Sequence, residues 1–279
     1  MKRNRDVLFH NVVPNDLGYY ELSDSCRKVM NDFYEDEYYQ QDMSLYRQTE
    51  YSENEIIYRT NLYREKECMF DKMGGVKGTL LDIGCGEGHA LKYYSNNGWK
   101  VTGIDFSDYG INAHHPDMKD CLIKGDLMEI LKNHDTKYDF VNMDNVLEHL
   151  PDPVSFLEII KNVCHEKTII CIRVPNDFSI TQMKAYDNQD IEDAFWVTDK
   201  TSEHFNYFTL DSLKKLAKAS GYVCLGQIAD WPIDFNLFNP RTNYNKNKSV
   251  GHDGHVARLM VENMFLNNQL RKQWLCMKQ

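Results

Sequence analysis

Three glycines and an acid one strand further on form the most distinctive chemical pattern of this sequence. The stretch LLDIGCGEGHAL places Gly84, Gly86 and Gly88 within five positions, directly after an apolar run. Glycine loses more conformational entropy on folding than any other residue, so three together indicate a tight turn or the close approach of another group. Asp105 ends the next apolar run, at the spacing where an acid holds ribose hydroxyls. The pattern predicts a strand, a glycine-rich turn and a helix that bind a nucleoside cofactor.

The charges beside this turn distinguish between classes of cofactor. A dinucleotide fingerprint reads GxGxxG, whereas here the third glycine comes one position early and His89 follows it. Asp82 and Glu87 add negative charge, which repels a pyrophosphate but suits a ligand with an ammonium and a sulfonium group. S-Adenosylmethionine is such a ligand. Asp82 could contact it, or could fix the turn by accepting backbone hydrogen bonds.

Apolar strands alternate with helical segments on both sides of the turn. Strands are predicted at TLLDIG, KVTGIDFS, CLIKGDL, YDFVNMDN, KTIICIRVPN and VCLGQIAD, with helices between them. This alternation indicates βαβ units and a mostly parallel, doubly wound sheet of the Rossmann-like α/β class. We predict such a core over residues 76–235, a helical cap over 1–75 and a helical C-terminal extension over 236–279. Ser52 and Glu55 have the spacing of a capping box for a helix in the cap.

Composition and charge narrow the classes of function. The net charge is −10, from 42 acidic and 32 basic residues, which argues against a broad nucleic-acid-binding surface. None of the eight cysteines forms a CxxC pair, and there is no HExxH motif or compact carboxylate–histidine cluster, so we expect no metal. No apolar run reaches the roughly 18 residues of a membrane-spanning helix, and no signal peptide is evident. These features predict a cytoplasmic protein with no membrane partner.

Four motifs together resemble a known family. LLDIGCGEGHAL, VTGIDFS, CLIKGDL and YDFVNMDNVLEHLPDP resemble, in this order, the successive motifs of class I S-adenosylmethionine-dependent methyltransferases, over roughly residues 76–225. The resemblance implies that the glycines lie against the methionine part of the cofactor, that Asp105 binds its ribose and that Asp126 with Leu127 contacts adenine. The implied cofactor-binding set is Asp82, Gly84, Gly86, Gly88, Asp105, Phe106, Asp126, Leu127, Met143 and Asp144.

Looser patterns bear on the methyl acceptor. DEYYQ, YSENE, EHFNYFTLDSLKKLAKASGY and GHDGHVARLMVEN resemble features of methyltransferases of sugar and surface-polysaccharide biosynthesis. This resemblance implies O- or N-methylation of a small acceptor, a sugar or a phosphate-linked precursor. Tyr39 belongs to a tyrosine-rich segment whose rings could lie over the sulfonium, although they could equally fill the surface or core.

Two histidines are candidates for the general base that removes the acceptor proton. The ordinary pKa of histidine is close to the operating pH, as proton abstraction requires. We favour His204, in SEHFNYF, over His149, which could be a packed histidine in the loop after the fourth strand. The expected substrate-binding residues are Asn176, Asn206, Tyr207 and Arg258; the last could instead pair with Glu262 at helical spacing.

Two other classes of function stay open from the sequence alone. A nicotinamide-dependent oxidoreductase would use a related sheet, but the glycine spacing opposes it. A binding protein could keep the fold without its chemistry, because a fold does not by itself imply an activity. The identity of the acceptor and the oligomeric state do not follow from the sequence.

Overall fold

A five-stranded parallel sheet forms the centre of the protein. The computed structural model describes residues 11–23, 51–192, 195–196, 204–228 and 233–246. The strand order in the sheet is β5-β4-β3-β6-β7, and every neighbouring pair is parallel. The strands are β3 (Thr79–Ile83), β4 (Lys100–Asp105), β5 (Leu122–Lys124), β6 (Tyr138–Asp144) and β7 (Cys164–Arg173).

The order of the strands creates a switch point. The chain runs from β3 through β4 to β5 on one side, then returns to lay β6 and β7 on the other side of β3. In open α/β sheets, ligands bind beyond the carboxyl ends of the strands at such a reversal. The doubly wound, Rossmann-like α/β prediction is confirmed, and the turns after β3, β4 and β6 are brought to one edge.

Helices cover both faces of the sheet. They are α1 (Glu53–Lys72), α2 (His89–Asn96), α3 (Tyr109–His114), α4 (Leu127–Lys132), α5 (Pro153–Ile160), α6 (Ile180–Asp187) and α7 (Leu210–Ala219). Alternate residues of β3 serve the two faces: Leu80 packs into an aromatic layer with Phe70 and Trp99, whereas Leu81 packs into the layer that contains Phe156. This alternation is the period-two pattern of a strand buried on both sides.

The cap combines a helix with a small sheet. Ser52 begins α1 with the predicted capping box, since its hydroxyl accepts from the Glu55 N–H and the Glu55 carboxylate accepts from the Ser52 N–H. Residues 11–23, expected to be helical, instead form β1 (Val12–Pro14) and β2 (Tyr20–Leu22), which pair antiparallel. β2 also pairs with β8 (Asn206–Tyr207).

These short strands were not predictable from periodicity, because two or three residues are too few to show an alternating pattern. Through the pairing of β2 with β8, residues 20–22 are hydrogen-bonded to the segment that contains His204.

A second difference concerns the strand expected at VCLGQIAD. Residues 223–228 have no regular structure, and Val223 and Leu225 are exposed. The predicted C-terminal helix lies outside the described residues; before it, Ile233–Phe238 forms a 3₁₀ helix. Within the described part of the chain, we find no helix that is both long enough and apolar enough to cross a bilayer.

Candidate functional site

The glycine-rich turn follows β3 and leads into α2. Gly84, Gly86 and Gly88 all have positive φ, between 49° and 77°, which explains the choice of glycine. A Cβ on Gly84 would lie 2.6 Å from Cγ2 of Val146, and one on Gly88 would lie 2.9 Å from Cγ1 of Ile111. The turn is therefore packed against the loop after β6 on one side and against α3 on the other.

Asp105 holds the turn from the neighbouring strand. Its carboxylate accepts hydrogen bonds from the N–H of Gly86 (2.8 Å) and from the N–H of Ser107 (3.0 Å). The side chain is 4% exposed, and burial raises its pKa above the ordinary value of an aspartate. The position at the carboxyl end of β4 agrees with the predicted ribose contact, and the bond to Gly86 adds a role in shaping the turn. The partly exposed Phe106 follows directly.

A buried polar network lies beside the turn, under α1. The Lys66 ammonium donates to Oδ1 of Asn142 (2.8 Å) and to the carboxylate of Asp144, and the Asn142 amide donates to Oδ1 of Asp82 (2.6 Å). Burial raises the pKa of Asp82 to about 7. Asp82 and Asp144 thus belong to one chain of charged and polar groups, and the amide of Asn142 helps fix Asp82.

Glu87 connects the same turn to the beginning of α1. The Tyr51 hydroxyl donates to Oε1 of Glu87 (2.6 Å), and the Arg59 guanidinium lies 4.5 Å from the centre of the Tyr51 ring. Burial raises the pKa of Tyr51, so its hydroxyl stays protonated and able to donate. The helix of the cap is thereby fastened to the glycine-rich turn.

Three of the predicted cofactor residues have structural roles that the sequence analysis only partly anticipated. Asp126 is exposed and its carboxylate caps α4 by accepting from the Glu129 N–H (2.8 Å). Leu127 packs against the hydrophobic core. The Met143 side chain is fully buried in that core, because odd and even positions of β6 face opposite sides, so only its backbone is left to face a cofactor.

The two candidate bases lie together. The rings of His149 and His204 are 4.7 Å apart and nearly perpendicular, at 84°. Burial, and then the neighbouring His149, lower the pKa of His204 to about 4, so its ring is neutral at pH 7. Glu148 completes the group: one ligand-type atom from each of the three side chains lies within 4.8 Å of the others.

Glu148 itself is fully buried, and burial raises its pKa to about 8. Within the described residues, neither of its carboxylate oxygens has a hydrogen-bond partner. Two hydrogen bonds to backbone carbonyls fix the arrangement. The Phe205 N–H donates to the Glu148 carbonyl (2.8 Å), and the Asn206 side-chain amide donates to the Leu150 carbonyl (2.6 Å).

The expected substrate residues are less well supported. Asn176 is exposed, in the loop after β7. Asn206 and Tyr207 are 0% and 1% exposed, because β8 is covered on both faces and Tyr207 packs in a cluster with Phe178 and Trp196, so their contact with a substrate stays a prediction. Tyr39 and Arg258 lie outside the described residues.

Sequence reasoning missed Lys66, Asn142, Glu148 and Gly110. Asn142 carried a signal, since it is a polar residue inside the apolar run of β6. Gly110 of α3 lies against the glycine-rich turn, where a Cβ would be 3.0 Å from the Gly86 carbonyl. Lys66 carried none, because a lysine within a largely polar helix is ordinarily solvated.

Comparison with known proteins gives a family model and several relatives. The model described as "Methyltransferase domain" matches residues 58–227. The chain is 33% identical over 116 residues to the ubiquinone biosynthesis O-methyltransferase of Glaesserella parasuis serovar 5 (strain SH0165), covering 38% of this chain and 49% of that protein. The Aeromonas salmonicida (strain A449) protein of the same name is 29% identical over 160 residues, covering 54% of this chain and 66% of that one.

The chain therefore spans less than two thirds of the length of these curated relatives. Among solved structures, a SAM-dependent methyltransferase from Archaeoglobus fulgidus is similar, with 18% identity and a TM-score of 0.46. That alignment covers 78% of this chain and 93% of the other.

Proposed function

This chain belongs to the methyltransferase domain family, and on that premise we propose that it is an S-adenosylmethionine-dependent methyltransferase that O-methylates a hydroxyl group of a small molecule. The observation that carries the proposal is the group formed by Glu148, His149 and His204. Glu148 and His149 lie in the loop after β6, and Val146 of the same loop packs against Gly84 of the glycine-rich turn. The group is thus placed beside the turn at which the cofactor is expected.

The cofactor side of the proposal uses the edge formed by β3, β4 and β6. We place the methionine part of S-adenosylmethionine against Gly84 and Gly86, the ribose against Asp105 and the adenine near Asp126. Asp82 and Asp144 supply negative charge for the ammonium and sulfonium groups. Lys66 partly offsets this charge and holds both acids in place through its contacts with Asp144 and Asn142.

The chemical step is a displacement at the methyl carbon. An oxygen lone pair of the acceptor forms the new C–O bond while the C–S bond breaks, and its electron pair leaves on the sulfur of S-adenosylhomocysteine. The leaving group is good, so alignment of the two reactants supplies much of the acceleration, which can reach several kcal/mol. The remaining task is to remove the hydroxyl proton, and we assign it to the group that contains His204, whose ring is neutral at pH 7.

Two kinds of acceptor fit this step. The sequence patterns favour a sugar or a phosphate-linked precursor, whereas the relatives carry a name that refers to ubiquinone biosynthesis. A phenolic hydroxyl has a pKa near 10 and is deprotonated more easily than a sugar hydroxyl, so it makes the smaller demand on a base. We therefore rank a phenol first and a sugar hydroxyl second.

The test is methyl transfer from labelled S-adenosylmethionine to a panel of catechols and nucleotide sugars. With the acceptor that gives turnover, we expect His204→Ala to lower kcat by about 10²–10⁴-fold while S-adenosylhomocysteine affinity changes little. His165→Ala is the matched control, since His165 pairs with Asp139 at the amino-terminal end of the strands, away from the glycine-rich turn. Near-normal turnover in His204→Ala, with loss in His149→Ala, would reverse the two roles; no transfer to either class by the wild type would contradict the proposed acceptor.

A further inference from the structure

We infer that Glu148, His149 and His204 bind one divalent transition-metal cation of the zinc type, and that this cation holds the acceptor oxygen. One ligand-type atom of each side chain lies within 4.8 Å of the other two. Ligands around zinc, with bonds of about 2.0–2.2 Å in a tetrahedron, are on the order of 3.4 Å apart. Small rotations of the three side chains therefore bring them to bonding distance. The second half of the inference rests on the proposed function, whereas the first half does not.

The buried carboxylate is the observation that points to a cation. Glu148 is 0% exposed, and neither carboxylate oxygen accepts a hydrogen bond from any residue that the structure describes. A buried polar group without a partner is costly, and such groups in native proteins call for an explanation. A metal ion bonded to one oxygen supplies the missing partner.

The surrounding backbone holds the ligands in place. Glu148 and His149 are consecutive in the 3₁₀ turn Leu147–His149, and the hydrogen bond from Phe205 N–H to the Glu148 carbonyl places His204 next to them. Asp177 contributes another buried oxygen without a partner in the described part of the chain.

The donor set selects the kind of metal. Two imidazoles and one carboxylate suit zinc and neighbouring transition metals, whereas magnesium and calcium prefer oxygen ligands throughout. Three protein ligands leave a fourth position open, as in catalytic zinc sites. Binding of the acceptor hydroxyl there lowers its pKa, so its proton passes to solvent, and the metal-held oxygen attacks the methyl carbon as described above. With the cation bound, His204 is a ligand and not the proton acceptor, and the cation takes over the task that the sequence assigns to a histidine base.

Local spacing does not reveal this group, because its members come from two distant parts of the chain. Glu148 and His149 follow β6, and His204 precedes β8, so no local spacing reveals them. Two hydrogen bonds bring the two segments together, from the Phe205 N–H to the Glu148 carbonyl and from the Asn206 amide to the Leu150 carbonyl.

The experiment is metal binding by the full chain, without acceptor. Protein stripped with a chelator is titrated with Co²⁺, followed by visible absorption, and with Zn²⁺, followed by calorimetry. The variants are Glu148→Gln and His204→Gln, with His165→Gln as the control that removes a histidine–carboxylate pair elsewhere. We expect one cation per chain in the wild type and the control, and at least 10-fold weaker binding in both ligand variants.

Two results would overturn the inference: no stoichiometric cation in the wild type, or unchanged affinity in both ligand variants. S-Adenosylhomocysteine binding by each variant verifies its fold, and the wild-type titration decides the matter even if a variant does not fold. Methyl transfer that survives complete metal removal leaves the proposed function intact and removes the role of the cation in it. Stoichiometric cation binding without methyl transfer to any acceptor supports the site and contradicts the proposed function.

Discussion

Two groups of buried polar side chains lie at the same edge of the sheet, and they differ in how their charges are paired. In the first, Lys66 bridges Asn142 and Asp144, and Asn142 passes a hydrogen bond to Asp82. In the second, Glu148 is buried beside His149 and His204, with no hydrogen bond to its carboxylate from the described residues. The first group is internally satisfied, whereas in the second the Glu148 carboxylate lacks a hydrogen-bond partner among the described residues.

The difference indicates different roles. A satisfied network makes a rigid support, because each member is held by the next and the loss of one leaves the others uncompensated. An unsatisfied group lowers the stability of the fold, so its retention is typical of a site that gains its missing partner from a ligand. The paired network thus supports the carboxyl ends of the strands, and the Glu148 carboxylate, which lacks a partner among the described residues, belongs to the site that we propose for the chemistry.

The largest effect is expected from breaking the paired network. Lys66→Met keeps most of the side-chain volume but leaves Asp144 and Asn142 without their cationic donor, which should lower the free energy of unfolding by about 3–5 kcal/mol. Urea denaturation with an unchanged m value measures this. Lys92→Met is the matched control, because Lys92 forms an exposed pair with Asp117 and should cost at most about 1 kcal/mol. Equal losses in both variants would contradict a supporting role for Lys66.

A substitution of Asp105 tests the proposed contact with the cofactor. Its carboxylate is satisfied by backbone N–H groups, and the proposed ribose contact would add to these bonds. Asp105→Ala should therefore weaken S-adenosylhomocysteine binding by about 1.5–3 kcal/mol, the usual loss for a charged hydrogen-bond partner. Calorimetry measures the affinity, and Asp117→Ala, an exposed acid, provides the control. An unchanged affinity in Asp105→Ala would remove this residue from the cofactor site.

Local sequence patterns predicted part of the site at the carboxyl ends of the strands. The glycine-rich turn, Asp105 and the alternation of strands and helices are each encoded within a few residues, and the structure places them as expected. Both polar groups depend instead on tertiary contacts. Lys66 reaches Asn142 across 76 positions, and Glu148 meets His204 through the hydrogen bond from the Phe205 N–H to the Glu148 carbonyl.

The contacts of residues in short strands could not be predicted from local sequence patterns either. Tyr207 was expected to contact substrate, but the three-stranded sheet buries it, and that sheet uses strands of only two or three residues. Fold class follows from periodicity summed over many residues, whereas the partners of one buried side chain do not.

A substitution of Glu148 should change the stability in the opposite direction to a substitution in the paired network. In metal-stripped protein, Glu148→Met replaces a buried carboxyl without a hydrogen bond by an apolar side chain of similar length, and should raise the free energy of unfolding by about 1–2 kcal/mol. The same urea titration measures the gain, and methyl transfer should be lost. A clear loss of stability would show that Glu148 is satisfied in the folded protein, which would weaken the contrast between the two groups.

The smallest expected effect on stability concerns His115, a partly buried side chain beside the glycine-rich turn. The His115 ring is half-buried, with Nε2 2.9 Å from Nδ1 of His89. Burial lowers the pKa of His115 to about 4, with smaller contributions from His89, His114 and Lys92 that Asp117 opposes. In the unfolded chain, the pKa of a histidine is about 6.5.

Between pH 6.5 and 4, the unfolded chain therefore takes up a proton at His115 that the folded protein does not. The contribution of His115 to stability is complete above about pH 6.5 and decreases as the pH falls toward 4. His115→Gln has no such proton to take up, so its free energy of unfolding should decrease less between pH 7 and pH 5 than that of the wild type. Urea titrations at the two pH values measure the difference. If the free energy of unfolding decreases by the same amount in the wild type and in the variant, the His115 ring is solvated. The histidines beside the glycine-rich turn are then no more than a surface feature.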